Sequence, residues 1–215
     1  MKLPEGTTEP VITHWQRAST TELLDRLDLP DRTAGNRVIL VDGRSAGGKT
    51  TLAGRLRSAL AGSELVHTDD VAWNHSFFRW DSELIENVIA PVRRNEPVRY
   101  RPPGWAGKGR EGAIVVEPGR DLIVEGVGAG RASIAAWADA VVWVQSDFTD
   151  ARVRGIARDL ELGIRDAAGV ESFWEEWMSS ELPFLEVEQP WRLAKIIVAG
   201  RATADDPDLV DLALT

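Results

Sequence analysis

The sequence predicts an α/β fold: a five-stranded parallel sheet flanked by helices on both faces. Three observations carry this reading. Short, almost purely apolar runs recur along the chain, the pattern of strands buried on both faces. Helical periodicity fills the segments between them. The connections are long enough for right-handed crossovers between parallel strands. A chain of 215 residues, 43% hydrophobic and 27% charged, suits one sizeable globular domain with a full core.

Taken in order, residues 20–28 (TTELLDRLD) read as a short helix capped by Thr20 or Thr21, with Leu23, Leu24 and Leu27 on one face and Pro30 closing it. Residues 37–42 (RVILVD), closed by Gly43, form the first strand. Residues 49–61 form a helix, since Leu52, Leu56 and Leu60 recur at one-turn spacing. A second strand is expected over 64–67, a helix over 82–94, a third strand over 121–124 and a short helix over 131–137. The fourth strand is 140–144, helices follow at 148–162 and 171–182, and 195–199 is the last strand. The expected organisation is a leader (1–36) carrying the short helix, a main domain (37–200), and a tail (201–215) packed on or beside it.

Charge and composition exclude several classes. A net charge of −9 argues against a nucleic-acid or anionic-membrane binder, because no overall positive field draws in phosphate polymers. The absence of cysteine excludes disulfides, thiolate metal sites and a cysteine nucleophile. The first 30 residues contain no apolar run of signal-peptide type. No stretch approaches the roughly 18 apolar residues of a membrane span. A cytoplasmic protein is the expectation. Of 25 basic residues only four are lysines (Lys2, Lys49, Lys108 and Lys195), so each lysine is judged by its position. Arg93, Arg94, Arg99, Arg101, Lys108 and Arg110 concentrate positive charge in a Pro/Gly-rich stretch, which suggests a functional loop. The acidic stretch 159–188 reads as a solvated helix face.

The sharpest motif is Gly43-Arg44-Ser45-Ala46-Gly47-Gly48-Lys49-Thr50, a full match to G-x-x-x-x-G-K-[ST] between a buried strand and an amphipathic helix. Glycines let the backbone come close to phosphate oxygens, backbone N–H groups form an anion nest, and the helix N-terminus adds its dipole. In such a P-loop Lys49 reaches the β- and γ-phosphates and the Thr50 hydroxyl ligates Mg²⁺. There is no N-K-x-D segment for reading guanine. The third strand ends in Glu125-Gly126, a single carboxylate suited to a water-mediated Mg²⁺ contact or to organising the phosphate site.

The second strand ends His67-Thr68-Asp69-Asp70, at the strand end where such sheets bind ligands. One of the two aspartates is placed to accept the proton of an attacking hydroxyl, and the other to cap a helix. A metal cluster built on His67 and His75 is disfavoured, because a catalytic zinc needs three protein ligands. Arg154, Arg158 and Arg165 fall on nearly one helix face, either a clamp for a transferring phosphoryl group or a solvated stripe. Trp73, Phe77, Phe78, Trp80 and Trp105 offer surfaces either for stacking a planar ring or for packing.

From Arg37 to Gly200 the chain resembles the uridine kinase-like family of P-loop kinases, which includes nicotinamide riboside kinases and phosphoribulokinase. The likeness rests on the P-loop GRSAGGKT, the HTDD segment, Trp80-Asp81 to Tyr100 with its Glu96-Pro97-Val98, the strand LIVEGVGA, and Arg154-x-x-x-Arg158-Asp159 followed by Arg165-Asp166. It ends in Trp174–Pro190 and AKIIVAG. The resemblance implies a P-loop NTPase fold with a mobile lid and ATP-dependent phosphorylation of a small-molecule hydroxyl. It assigns Asp69 as general base, with Lys49 and Arg158 stabilising charge and Thr50 and Glu125 organising Mg²⁺. Gly43, Ser45, Ala46, Gly47, Gly48, Lys49, Thr50, Thr51 and Arg154 would hold ATP. Asp70, Trp73, Phe78, Trp80, Tyr100, Arg101, Trp105 and Arg165 would meet the acceptor. The sequence departs from the family where Lys195 replaces an Asp and where Arg101, not Asp, follows Tyr100. The expected acceptor is a nucleoside; a sugar phosphate or specialised metabolite is the second reading, and an NTP-binding regulator the third. No nucleic acid or membrane partner is expected. Trp15 and His14 in the leader leave a homo-oligomer open.

Overall fold

The computed structural model describes residues 1–32, 35–163, 166–200 and 208–215. In chain order it contains β1 (Gln16–Ser19), α1 (Thr20–Arg26), β2 (Val38–Gly43), α2 (Lys49–Ala59), β3 (Ser63–His67) and α3 (Thr68–Ala72). A composite helix follows, made of α4 (Asp81–Leu84), a π-helical turn (Ile85–Ile89) and α5 (Ala90–Arg93). Next come β4 (Val98–Tyr100), α6 (Pro103–Gly107), β5 (Ile114–Val116), β6 (Asp121–Glu125), α7 (Ala132–Ala135) and β7 (Ala140–Gln145). The chain continues with α8 (Phe148–Glu161), α9 (Ala167–Glu188), β8 (Ile196–Ala199) and β9 (Leu209–Leu214).

The five expected strands are present as the parallel run β3-β6-β2-β7-β8. The sheet itself has seven strands, not five, because β9 adds antiparallel to β8 and β1 adds antiparallel to β9. The reason is visible in β8. Its far side would otherwise be an open edge of an apolar strand, and such edges are covered in native sheets. Leader and tail cover it together, with Val210 and Leu212 turned into the core. Every residue of β2, β6 and β7 is buried, and apolar clusters fill both faces of the sheet.

Two helices differ from expectation. The 82–94 helix widens into a π turn just before Pro91, whose ring nitrogen has no proton to give to the ladder. The acidic helix, expected over 171–182, runs through Pro183 to Glu188. Fully buried Glu181 and Leu185 pin its two sides across that proline. The basic stretch folds as the β4–β5 hairpin with α6 at its tip.

Candidate active site

Parallel register brings the chemistry to one end of the sheet. β2 ends at Gly43, and β6, beside it, ends at Glu125. β3 lies on the far side of β6, with His67 paired to Glu125. The strand that leads into Asp69 of α3 therefore does not neighbour the glycine-loop strand, yet Asp69 still opens onto the same cavity of about 640 Å³. Ser45, Ala46, Gly47, Gly48, Lys49 and Thr50 form its floor, and Thr68, Asp69, Glu125 and Arg158 flank them.

The loop is built for close backbone approach. Gly48 has φ +100°, and a Cβ there would lie 2.5 Å from the Gly200 carbonyl oxygen. Ala46 takes a left-handed φ of 54° within the loop, the backbone form found in anion-binding nests. Lys49 is buried, and its Nζ donates to the Arg44 carbonyl at 2.9 Å. Gly43 is packed on Val144, and Thr51 is exposed in the first turn of α2; neither lines the cavity.

Around Glu125 the polar contacts are short. The Thr50 hydroxyl donates to its Oε1 at 3.1 Å, and the His67 Nδ1 lies 2.5 Å from the same oxygen. Burial works to raise the Glu125 carboxyl, but the His67 hydrogen bond and the Lys49 charge outweigh it and hold it below the ordinary range. The same hydrogen bond raises His67. Asp69 is pushed upward, first by the protein walls that strip water from it; Glu125 adds to this and Lys49 opposes it. Among the described residues no group of three or more His, Asp or Glu side chains is arranged to hold a metal ion alone. The pair Thr50–Glu125 fits Mg²⁺, which takes few protein ligands and keeps waters and substrate phosphates.

The arginines divide. Arg158 lines the cavity, where it pairs with Asp159 at 2.8 Å. Arg154 donates to the Ala46 carbonyl at 3.1 Å, so it braces the glycine loop from α8. Arg165 lies outside the described residues.

The predicted acceptor residues divide as well. Trp73 and Trp80 line the cavity. Phe78 stacks on Phe184, with centroids 3.9 Å apart, and is turned away from it. Asp70 pairs with Arg110 at 2.6 Å, and its carbonyl accepts from the buried Trp105 indole at 2.7 Å, which docks α6 and the hairpin onto α3. Tyr100 donates to Glu83, which with burial lifts its hydroxyl well above the ordinary value. Arg101 is tied to the Arg110 carbonyl.

Among the cavity residues that the sequence reading of the site did not single out are Phe173, Trp174 and Trp177 of α9. The signal for the α9 trio was present, since aromatics recur through the acidic stretch one turn apart. Gly155 also carries a role, because a Cβ there would sit 2.2 Å from the Trp174 ring where α8 crosses α9. Asp42, fully buried at the end of β2, accepts from the N–H groups of Gly43, Gly128 and Gly130. It ties the glycine loop to the turn after β6.

No family model matches the chain, and no curated protein matches it. Solved structures do. A chain from Silicibacter sp. TM1040, provisionally assigned as a fructose transport system kinase, superposes with a TM-score of 0.55 at 21% identity, covering 72% of this chain and 87% of that one. A chain from Bacillus stearothermophilus, provisionally assigned as a uridine kinase, gives a TM-score of 0.48 at 22% identity, covering 82% of this chain and 98% of that one. The first likeness shows the fold.

Proposed function

We propose that the protein is an ATP-dependent kinase that transfers the γ-phosphoryl group to a hydroxyl of a small, planar, uncharged acceptor such as a nucleoside. One observation carries this reading: the glycine loop, Thr50–Glu125 and Asp69 share a single cavity whose opposite wall is aromatic. A fold shared with a chain assigned as a kinase supports the class.

MgATP, when bound, supplies the phosphoryl group and the metal charge. The N–H groups of Gly48, Lys49 and Thr50 at the start of α2, with the Lys49 ammonium, would hold the β- and γ-phosphates. Thr50 and Glu125 would hold the metal from the protein side. Asp69 accepts the acceptor's proton as its oxygen bonds to the γ-phosphorus and the bond to the β–γ bridging oxygen breaks. Arg158, swinging from Asp159 to the phosphates, stabilises the charge spread over the transferring group. We assign the lid role to α8, whose Arg154 already rests on the loop.

The acceptor reading follows from the wall. Trp73, Phe77, Phe173, Trp174 and Trp177 present ring faces and edges, and ring stacking favours planar ligands. The sugar-phosphate alternative needs cations beyond those of the phosphate site. Arg93, Arg94, Arg101 and Arg110 instead bind Asp139, Glu96, the Arg110 carbonyl and Asp70.

Asp69→Asn separates the kinase from an NTP-binding regulator. Titration with MgATP should show wild-type affinity, while ADP release stimulated by an acceptor falls by about 10²–10⁴. Unchanged acceptor-stimulated turnover in Asp69→Asn rejects the mechanism. Lys49→Ala should abolish turnover.

A further inference from the structure

We infer that Glu9, in the N-terminal leader, is a positioning residue for the phosphate loop, acting through Arg44. This rests on the reading of 43–50 as a nucleotide site.

Arg44 is the second residue of the loop, and its side chain points away from the cavity into the protein, where it is 2% exposed. There it meets Glu9, itself 4% exposed. Arg44 Nε and Nη2 lie 3.0 and 2.9 Å from Glu9 Oε2, a two-pronged guanidinium–carboxylate pair. The other oxygen, Oε1, accepts from Trp143 Nε1 at 2.7 Å and Gln145 Nε2 at 3.0 Å, both on β7. Four donors thus satisfy a buried carboxylate supplied from outside the sheet. Arg44 Nη2 also donates to the Thr7 hydroxyl at 3.2 Å, and its guanidinium lies over the Trp191 ring.

A second support grips the next residue. The Ser45 N–H donates to Glu181 Oε1 at 3.2 Å, and Glu181 is fully buried on α9. The two supports are joined, because Thr7 and Thr8 of the leader donate to Glu186, further along α9. The segment Arg44–Ser45 is therefore held by the leader through the Arg44 side chain and by α9 through the Ser45 N–H, immediately before the cavity-lining run 45–50. A buried ion pair adds little net stability over an apolar pair of the same shape, but it fixes direction and register. Here the direction it fixes is that of the phosphate-binding backbone. Displacements on the order of 1 Å in such a cradle cost roughly 10²-fold.

The test uses the full chain and MgATP. Wild-type binding of MgATP checks the nucleotide-site reading on its own. Glu9→Gln keeps the oxygen that Trp143 and Gln145 use but turns an amide donor toward Arg44. Its MgATP dissociation constant should rise at least about tenfold, with the acceptor KM unchanged and the exposed-leader control Val11→Ala unaffected. Glu9→Gln with Arg44→Met removes both charges, so it decides the matter if the single variant fails to fold. It should unfold at a urea midpoint near wild type yet bind MgATP as weakly as the single variant. MgATP affinity within about twofold of wild type in a folded Glu9→Gln, or restored by the double variant, overturns the proposal.

Discussion

At the scale of single residues, the environment of each ionisable group sets its use. Asp69 loses water to the cavity walls, so its proton is held more tightly than an exposed aspartate's. A base must be deprotonated, so kcat/KM should fall on acidification with a midpoint above the ordinary Asp value of 3.8; a pH–rate profile measures it. Asp42 is raised to about 6 by complete burial, against the lowering effect of three backbone N–H groups. The folded state therefore binds this proton more tightly than the unfolded chain does. Stability should fall as pH rises from about 4 to 6, by on the order of 3 kcal/mol, and stay level above that window as far as this group is concerned. Urea titrations of wild type and Asp42→Asn across that range check the sign, since the variant should lack this limb. Gly126 has no room for any side chain, because a Cβ at its φ of +146° would sit 1.7 Å from the Thr68 hydroxyl. Gly126→Ala should destabilise by several kcal/mol in thermal melts.

Among the elements, α9 does two jobs that its sequence kept apart. Glu171, Glu175 and Glu176 face solvent, as their spacing indicates, but Glu181 is fully buried against Ser45, and Phe173, Trp174 and Trp177 close the cavity. The crossing with α8 is set by Gly155, so Gly155→Ala should push Trp174 into the acceptor space and raise the acceptor KM with little change in MgATP affinity. Near-UV circular dichroism reports the moved indole. The parallel strands were legible in the sequence because strands buried on both faces need apolar centres, such as the VILV of β2 and the LIV of β6. β1 was not legible: Gln16-Arg17-Ala18-Ser19 turns one apolar side chain inward and is a strand only because β9 pairs with it. In β9 the alternation of Val210 and Leu212 was a readable signal of a half-buried strand. The glycine loop and Glu125 were equally plain from spacing and context. The aromatic wall was not, since Trp105 and Phe78 carry the same residue-level signal as Trp73 but spend it on packing.

At the scale of the molecule, the termini complete the structure. The leader gives β1 and the Glu9 support, the tail gives β9, and together they seal the edge of β8. A chain ending at residue 200 should lose cooperativity in urea unfolding, because β8 would then offer an uncovered apolar edge. No helix among the described residues is long and apolar enough to cross a membrane. A net charge of −9 coexists with a cavity that holds Lys49 and Arg158, so positive charge is local to the proposed nucleotide site. The proposed reaction moves a phosphoryl group from ATP to a planar acceptor in this cavity. Incubation with MgATP and separate nucleosides, sugars and sugar phosphates, read by the mass of each acceptor, tests it most directly. A nucleoside should give a singly phosphorylated product, present with wild type and lost in Asp69→Asn. Phosphorylation of sugar phosphates alone, or of no acceptor while MgATP binds tightly, would contradict it.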